Sequence, residues 1–333
     1  MRLAFGVVAV GLVGLAAVSG ANGGLQASQA AANPQTGSVS TGIATSLRPV
    51  MGVPATCPNP VMVQPDVFPV RVGTVTSEDG RQWTVPAPVN DSGPMAVDLY
   101  NNCTSPGDNP TWASQLKTVV IDEDGVEITG FIFADNYFEL SVNGRFVARD
   151  SIPMTPFNSS VVRFRARYPM TFAVMGVDWE THPGVGMEYA TFNLGDAGFA
   201  MYFSDGNRTS GEWRAETFYV APLDDPSCVR VTPTGRDSTF CTQGFRATCA
   251  QKDPATLCKA LHFPLPADWT SPRFNDSSWP AAIVWSPALL MGDQAAYNNY
   301  RQLFGDAQAI WTRNLRLDNL VLARYTAKGP RKP

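Results

Sequence analysis

Charged side chains and histidines are scarce in this chain. Asp, Glu, Lys and Arg make up 16% of the 333 residues, the formal net charge is −4, and His182 and His262 are the two histidines. A low charge without a basic excess creates no field that would attract nucleic acid or an anionic membrane. Two histidines leave little scope for a zinc site or for Ser/His/Asp catalysis. We therefore expect no nucleic-acid partner, and the composition favours a neutral ligand.

The sequence motifs of several enzyme classes are also missing. The chain contains no C-x-x-C pair, no G-x-S-x-G elbow, no P-loop and no dinucleotide-binding fingerprint. It contains no internal repeat, and no segment after residue 20 is apolar enough to span a bilayer. These absences favour a non-catalytic protein in which no segment after residue 20 inserts into a membrane.

The N-terminal segment has the pattern of a secretory signal peptide over residues 1–20. It carries one Arg, an apolar run over residues 3–18 and then small residues, so cleavage is expected near Ala21. Ala, Gly, Ser, Thr, Gln and Pro dominate the next stretch, which predicts a flexible low-complexity linker over residues 21–55. We expect a secreted, extracellular protein whose folded part begins near Cys57.

The cysteines agree with this compartment. Six of them, an even number in a chain with a signal peptide, predict three disulfides among Cys57, Cys103, Cys228, Cys241, Cys249 and Cys258. We expect Cys57 to pair with Cys103 and the last four to pair among themselves. If the source is eukaryotic, the N-x-S/T sequons predict N-glycosylation at Asn90, Asn102, Asn158, Asn207 and Asn275.

Short strands separated by turn residues account for most of the chain. The clearest is a hairpin around Asn143 and Gly144, the residue pair that best tolerates a type I′ turn. A two-residue loop places Leu140 opposite Val147 and puts both on one buried face with Phe138 and Val142. Residues 117–121 and 126–133 predict a second hairpin, and residues 199–203 and 213–220 predict a third.

The wider pattern predicts an antiparallel β-sandwich. Residues 161–167 alternate between apolar side chains and arginines, and no window before Pro222 has a helical period. We expect one sandwich over residues 56–326, with a Cys-rich insertion at about residues 226–262 and a frayed basic tail at residues 327–333.

Three segments resemble parts of galactose-binding-like jelly-roll domains. They are Ala134-Asp135-Asn136 leading to Val142-Asn143-Gly144, the sequence FNDSSWP at residues 274–280, and IWTRNL at residues 310–315. Such domains accompany β-galactosidases, rhamnosidases and other secreted glycan-active proteins. In those domains the Asn-Gly hairpin follows the other two segments in the sequence, whereas in this chain it precedes them. The resemblance implies a jelly-roll-like sandwich that is closed by its C-terminal strands in a permuted order, or else two halves that pack together. We expect one sandwich, to which the cysteines add disulfide-rich, loop-rich segments. The permuted order prevents transfer of the family's ligand site.

The polar segment from Asp178 to Tyr189 is the main candidate ligand site. If the chain stays extended, Asp178, Glu180 and His182 alternate onto one face, where they could meet a sugar or a divalent metal. Trp179 or Tyr189 beside the two carboxylates would form a platform for a sugar ring. The alternative is a solvated turn.

Two further charged segments can each be interpreted as a functional site or as an ordinary structural feature. Arg163, Arg165 and Arg167 form a stripe that could grip sulfated or carboxylated glycans, or could be a solvated face paired with Glu127 or Glu139. The acidic turn at residues 122–124 could hold a structural calcium, as jelly-roll domains sometimes do. Its spacing does not fit an EF-hand, so a polar turn is the default, and no other cofactor is expected.

These observations favour a secreted non-catalytic recognition module that binds extracellular carbohydrate or a matrix component. One alternative is a secreted carboxylate-dependent enzyme that acts on glycans and draws on Asp178, Glu180, Glu188 or Asp196. Another is a structural protein of an extracellular layer or appendage.

Overall fold

The computed structural model describes residues 37–50, 71–101, 107–151, 159–188, 195, 197–242, 246–290 and 295–331. These residues fall within one compact unit. They fold mainly into antiparallel strands, which confirms the all-β prediction. No helix among them is long and apolar enough to cross a membrane.

Seven strands form the central sheet. They are β1 (Ser38–Thr41), β10 (Tyr137–Val142), β11 (Arg145–Arg149), β13 (Met170–Val177), β15 (Arg214–Leu223), β18 (Lys259–His262) and β21 (Asp318–Ala327). Their spatial order is β1-β18-β15-β21-β13-β10-β11, and every neighbouring pair is antiparallel. The C-terminal strand β21 therefore lies in the middle of the sheet.

The second sheet also has seven strands. They are β5 (Val97–Asp98), β8 (Thr118–Val120), β9 (Val126–Asp135), β12 (Ser159–Ala166), β14 (Gly198–Phe203), β19 (Ile283–Trp285) and β20 (Ala309–Trp311). The order is β19-β20-β14-β9-β12-β5, and β8 pairs with β12 in the parallel direction.

Smaller elements surround the two sheets. One small sheet contains β2 (Ser46–Pro49), β3 (Arg71–Thr76) and β4 (Gln82–Val85), and two-stranded ladders join β6 (Tyr100–Asn101) to β7 (Gly107–Asp108) and β16 (Arg230–Thr232) to β17 (Gly235–Asp237). The described helices are short: α1 (Trp112–Gln115), α2 (Thr248–Lys252), α3 (Pro254–Leu257), α4 (Pro287–Leu290) and α5 (Ala295–Asn298), with 3₁₀ turns at Pro226–Cys228 and Arg301–Leu303.

The central sheet is buried on both faces. One face packs against the second sheet in an aromatic core, where the rings of Phe172 and Phe203 stack with centroids 4.4 Å apart. The other face lies under the β2-β3-β4 sheet, whose Val72 and Val85 share a second apolar cluster with Leu322 of β21. Every position of β13 is consequently buried. Burial on both faces explains its near-continuous apolar sequence.

The hairpin between β10 and β11 confirms the strongest local prediction. Asn143 and Gly144 have φ values of 50° and 78°, as a turn with two positive φ angles requires. The predicted register is wrong beyond the turn, because a bulge between Leu140 and Ser141 pairs Leu140 with Ala148 instead of Val147. Leu140 and Val147 are nevertheless both buried in the core between the sheets, as expected.

The other two predicted hairpins are wrong. β12 lies between β8 and β9 and pairs with both. The turn that joins β8 to β9 passes close to the end of β12, and Gly125 of this turn allows the close approach. A Cβ at residue 125 would stand 2.5 Å from the carbonyl carbon of Ala166, so a larger residue would not fit. β14 and β15 belong to different sheets, so residues 204–213 cross between layers. A local turn signal does not distinguish these connections from a hairpin.

The predicted linker over residues 21–55 is wrong in the part that the structure describes. β1 pairs with β18 and β2 pairs with β3, so the fold begins before Cys57. Backbone pairing orders this segment although it has few apolar side chains, and the Ser40 hydroxyl lies 2.7 Å from His262 Nε2 of β18. The signal peptide at residues 1–20, residues 21–36 and residues 51–55 lie outside the described residues.

The C-terminal tail is attached to the sandwich as far as Arg331, contrary to the prediction of a frayed end. The Arg331 backbone N–H donates to the Asp205 carbonyl at 2.8 Å, and its guanidinium pairs with Glu212. The Asn207 side-chain amide donates to the Gly329 carbonyl at 3.2 Å. Charge alone predicted a free tail, and these contacts with the loop after β14 hold it in place.

Disulfides join Cys228 to Cys241 and Cys249 to Cys258. This confirms that the last four cysteines pair among themselves, whereas Cys57 and Cys103 lie outside the described residues. The Cys-rich segment is more than an insertion, because its last residues form β18 between β1 and β15 in the central sheet.

Candidate functional site

The predicted ligand segment begins where β13 ends, and it is buried. Asp178, Trp179 and Glu180 are 3%, 0% and 1% exposed. The Asp178 backbone N–H donates to the Asn319 carbonyl at 2.9 Å, and the Trp179 N–H donates to Asn136 Oδ1 at 2.6 Å. These bonds fix the segment against β21 and against the turn between β9 and β10. Tyr189 lies outside the described residues.

Trp179 does not present a platform for a sugar ring. Its indole packs edge-on against Tyr137 with ring centroids 5.5 Å apart and has no exposed face. It belongs to the cluster beneath the β2-β3-β4 sheet. Stacking on a ligand would require an open ring face, so the platform predicted for Trp179 is corrected to a core position.

Glu180 closes a tight loop instead of facing outward with His182. Its Oε2 accepts the backbone N–H groups of Gly184 at 2.7 Å and Val185 at 3.1 Å. The predicted alternation assumed an extended chain, and the turn over residues 181–185 breaks it. Burial raises the pKa of Glu180 to about 7, against the lowering effect of the Tyr219 hydroxyl and these N–H groups. His182 is half-buried, and burial lowers its pKa.

Two carboxylates of this segment do meet. Asp178 Oδ1 lies 2.5 Å and Glu188 Oε1 lies 2.8 Å from the point where a Cβ on Gly195 would stand. The two oxygens are therefore no more than about 5 Å apart, so the two carboxyl groups are at least as close as the pair in retaining glycoside hydrolases. Glu188 is 8% exposed, so the pair is almost closed to solvent. Asp196, another candidate, lies outside the described residues.

Among the described residues, no group of three His, Cys, Asp or Glu side chains is close enough to hold a metal ion. At the acidic turn, Asp122 Oδ2 accepts the Arg167 backbone N–H at 2.9 Å, and Asp124 pairs with the Arg167 guanidinium. These contacts give the turn a structural explanation.

A cleft of about 680 Å³ opens at one edge of the second sheet. It forms because the edge of β12 changes partner: β5 pairs with Ser160 and Val161, and β8 pairs with residues 163–165. Val162 lies at the gap between these partners. The cleft reaches past that gap to Val147 and Ala148 of β11 in the central sheet. Its volume lies in the usual range for small-molecule sites.

Polar and charged side chains surround the apolar floor of the cleft. Val147, Ala148, Val161 and Val162 lie at the base of the cleft and are at most 3% exposed, and the accessible apolar lining comes from Pro94, Met95, Val97, Leu116 and Val119. The polar lining includes Asp98, Asn109, Thr111, Gln115, Lys117, Ser151 and Arg163. Asp98 Oδ1 accepts the Ser151 hydroxyl at 2.5 Å, and the Asn109 side-chain amide donates to the Asp98 carbonyl at 2.7 Å. The polar groups are therefore held in place before any ligand arrives.

Sequence reasoning missed this cleft. The arginine alternation on β12 indicated one polar face, but it did not reveal that β5 and β8 share one edge of that strand. The two strands pair with residues 45 to 64 positions later in the chain, and no local pattern records such pairing.

The sequons differ in accessibility. Asn207 is 1% exposed and its side-chain amide donates to Asp205 Oδ2 at 2.6 Å, so the folded protein does not offer it for glycosylation. Asn275 is exposed and Asn90 is partly exposed. Asn102 and Asn158 lie outside the described residues.

Comparisons with protein-family models, with curated proteins and with solved structures found no match to this chain. The function must therefore be argued from the geometry above.

Proposed function

We propose that this chain is an extracellular recognition module of the galactose-binding-like, jelly-roll type, which binds carbohydrate or a matrix glycan in the cleft beside Val162. The cleft carries the proposal. A sugar has an apolar C–H face and a rim of hydroxyl groups, and the cleft has accessible apolar side chains, such as Met95 and Val119, and a polar rim that can accept both. The signal-like N-terminal sequence and the disulfides support an extracellular location.

The positions of two of the three family-like segments support the jelly-roll part of the proposal. The IWTRNL segment begins in β20, which pairs with β14, and β14 pairs with β9 beside the Asp135 turn. Trp311 of this segment packs against Phe199 with ring centroids 6.1 Å apart. Segments that are far apart in the chain thus contribute to one sandwich, as a permuted member of the family would require.

Binding to a glycan array at physiological salt tests the proposal. A bulky Gln115→Trp substitution at the exposed rim should weaken binding at least tenfold by obstructing the cleft. Gln302→Trp is the matched control, because Gln302 is also an exposed glutamine on a short helical turn but does not line the cleft. Silence of the wild-type protein on all glycans, or equal binding by both variants, would refute the proposal.

A second candidate, a secreted glycoside hydrolase, is favoured by the closeness of Asp178 to Glu188. One carboxyl group would act as the acid and the other as the nucleophile. Glu188→Gln should then abolish release of reducing sugar while the affinity for the oligosaccharide stays nearly constant. Absence of turnover by the wild-type protein across neutral and acidic oligosaccharides would eliminate this candidate.

A further inference from the structure

The arginine stripe on β12 is not uniformly neutralised. Arg165 pairs with Glu127 at 3.2 Å, and Arg167 pairs with Asp124. Arg163 makes no ion pair with any residue that the structure describes, and its Nε lies 3.5 Å from the Thr129 hydroxyl. Two arginines of the stripe therefore have a carboxylate partner in the fold, and the third does not.

Arg163 is the arginine of this stripe that lines the cleft, and a second cation lies beside it. Lys117 immediately precedes Thr118, the register partner of Arg163 in the β8-β12 pair. Lys117 also lines the cleft, is exposed, and makes no ion pair within the part of the chain that the structure describes. Among the described residues, two cations without a carboxylate partner thus line one cleft.

One carboxylate among the described residues lines the same cleft, and it is already engaged. Asp98 accepts the Ser151 hydroxyl at 2.5 Å. Its charge offsets one of the two cations, so the local balance at the cleft is positive although the whole chain has a net charge of −4. The overall composition predicted a neutral ligand, whereas the positive charge at the cleft indicates an anionic ligand.

We infer that the cleft selects an acidic saccharide, whose carboxylate or sulfate group binds between Arg163 and Lys117. This inference rests on the proposed function, because it assumes that the cleft binds carbohydrate. An arginine guanidinium matches a planar carboxylate or a sulfate through two parallel N–H donors, and a lysine adds a point charge. The accessible apolar lining of the cleft contacts the face of the sugar ring. A neutral sugar of the same shape binds more weakly because it makes no ionic contact with Arg163 or Lys117.

Calorimetric titration with four probes tests the inference. The probes are tetragalacturonate and its methyl ester, and a κ-carrageenan-derived tetrasaccharide and its desulfated form, which carries no charge. We expect at least one acidic probe to bind tenfold or more tightly than its neutral partner, with an affinity that falls as NaCl is raised from 50 to 500 mM. The carboxylate and sulfate arms then identify which anion the site accepts.

Variants assign the effect to the two cations. Arg163→Gln and Lys117→Gln should each weaken the acidic probe about tenfold and leave the neutral probe unchanged, while Arg163→Lys should retain part of the preference. Arg145→Gln is the control, because Arg145 is an exposed arginine outside the cleft. Unchanged melting temperatures would show that each variant is folded.

The outcomes separate the two proposals. Equal binding of acidic and neutral probes, or an equal effect of Arg145→Gln, would overturn the preference for acidic saccharides and leave the carbohydrate module intact. Failure of the wild-type protein to bind any saccharide would overturn both.

Discussion

Replacing Asp318 by Asn should stabilise the protein at pH 8 and leave its stability at pH 4 almost unchanged. Asp318 is 1% exposed and accepts hydroxyl donors from Ser238 at 2.7 Å and Thr312 at 2.6 Å. Burial raises its pKa from 3.8 to about 7, despite these two donors, and the nearby Glu216 carboxylate raises it further. The folded protein therefore holds a proton here that the unfolded chain has already released.

The sign and size of the effect follow from this difference. Between pH 4 and pH 7 the folded state binds more protons than the unfolded state, so stability falls as the pH rises through that interval. About three pKa units at 1.36 kcal/mol each give a penalty of about 4 kcal/mol once Asp318 is ionised. An Asn side chain has nearly the same shape, and the Thr312 hydroxyl can rotate to accept from its amide, so the variant avoids the penalty.

Urea denaturation followed by tryptophan fluorescence, with the disulfides intact, measures the difference at each pH. The variant should exceed the wild type by up to about 4 kcal/mol at pH 8, and the two curves should converge near pH 4. Asp268→Asn, at an exposed carboxyl, is the control and should show no such divergence. The assignment of the proton to Asp318 would be refuted if the variant were less stable than the wild type at pH 8. It would also be refuted if the free energies of unfolding of the two proteins differed by the same amount at pH 8 and pH 4.

Three more substitutions test the packing. Arg324→Met should cost about 2–3 kcal/mol, because it removes the donors to the Trp269 and Ser271 carbonyls and the 2.9 Å partner of the partly exposed Asp276 carboxylate; a urea midpoint within error of the wild type would contradict this. Asn143→Ala should cost about 1–2 kcal/mol, since Asn143 Oδ1 accepts the Thr171 N–H at 2.8 Å, whereas Arg145→Ala should be neutral in the same assay. Changing Cys249 and Cys258 together to Ser should cost about 2–4 kcal/mol, measured by thermal unfolding, and no change in melting temperature would show that β18 does not depend on this disulfide.

Local elements of the fold could be predicted from the sequence where one residue pair or one strand contained the whole signal. Asn143 and Gly144 specified their turn, and the alternation on β12 correctly separated the buried Val162 and Phe164 from the arginines. Neighbouring strands could not be paired in the same way. The turn before β9 looks like a hairpin turn, and only the position of β12 in three dimensions shows that it is not.

The candidate site was harder to predict for a physical reason. Asp178, Trp179 and Glu180 form a polar and aromatic segment that is typical of an exposed loop. Their burial depends on the β2-β3-β4 sheet and on Tyr219 of β15, which are distant in the chain. The cleft depends equally on distant strands that meet along β12. A single sequence shows the composition and the local periodicity of the chain. Neither of them specifies which distant segments pack against each other.

The central position of β21 affects how this protein can be made. β21 pairs with β13 on one side and with β15 on the other, and among the described strands it is the last to be synthesised. Until it emerges, β13 and β15 expose unpaired edges, and the central sheet remains in two halves. Folding of this sheet is therefore expected to be post-translational, and a chain truncated before Asp318 should be a substrate for proteases and chaperones rather than a smaller stable domain.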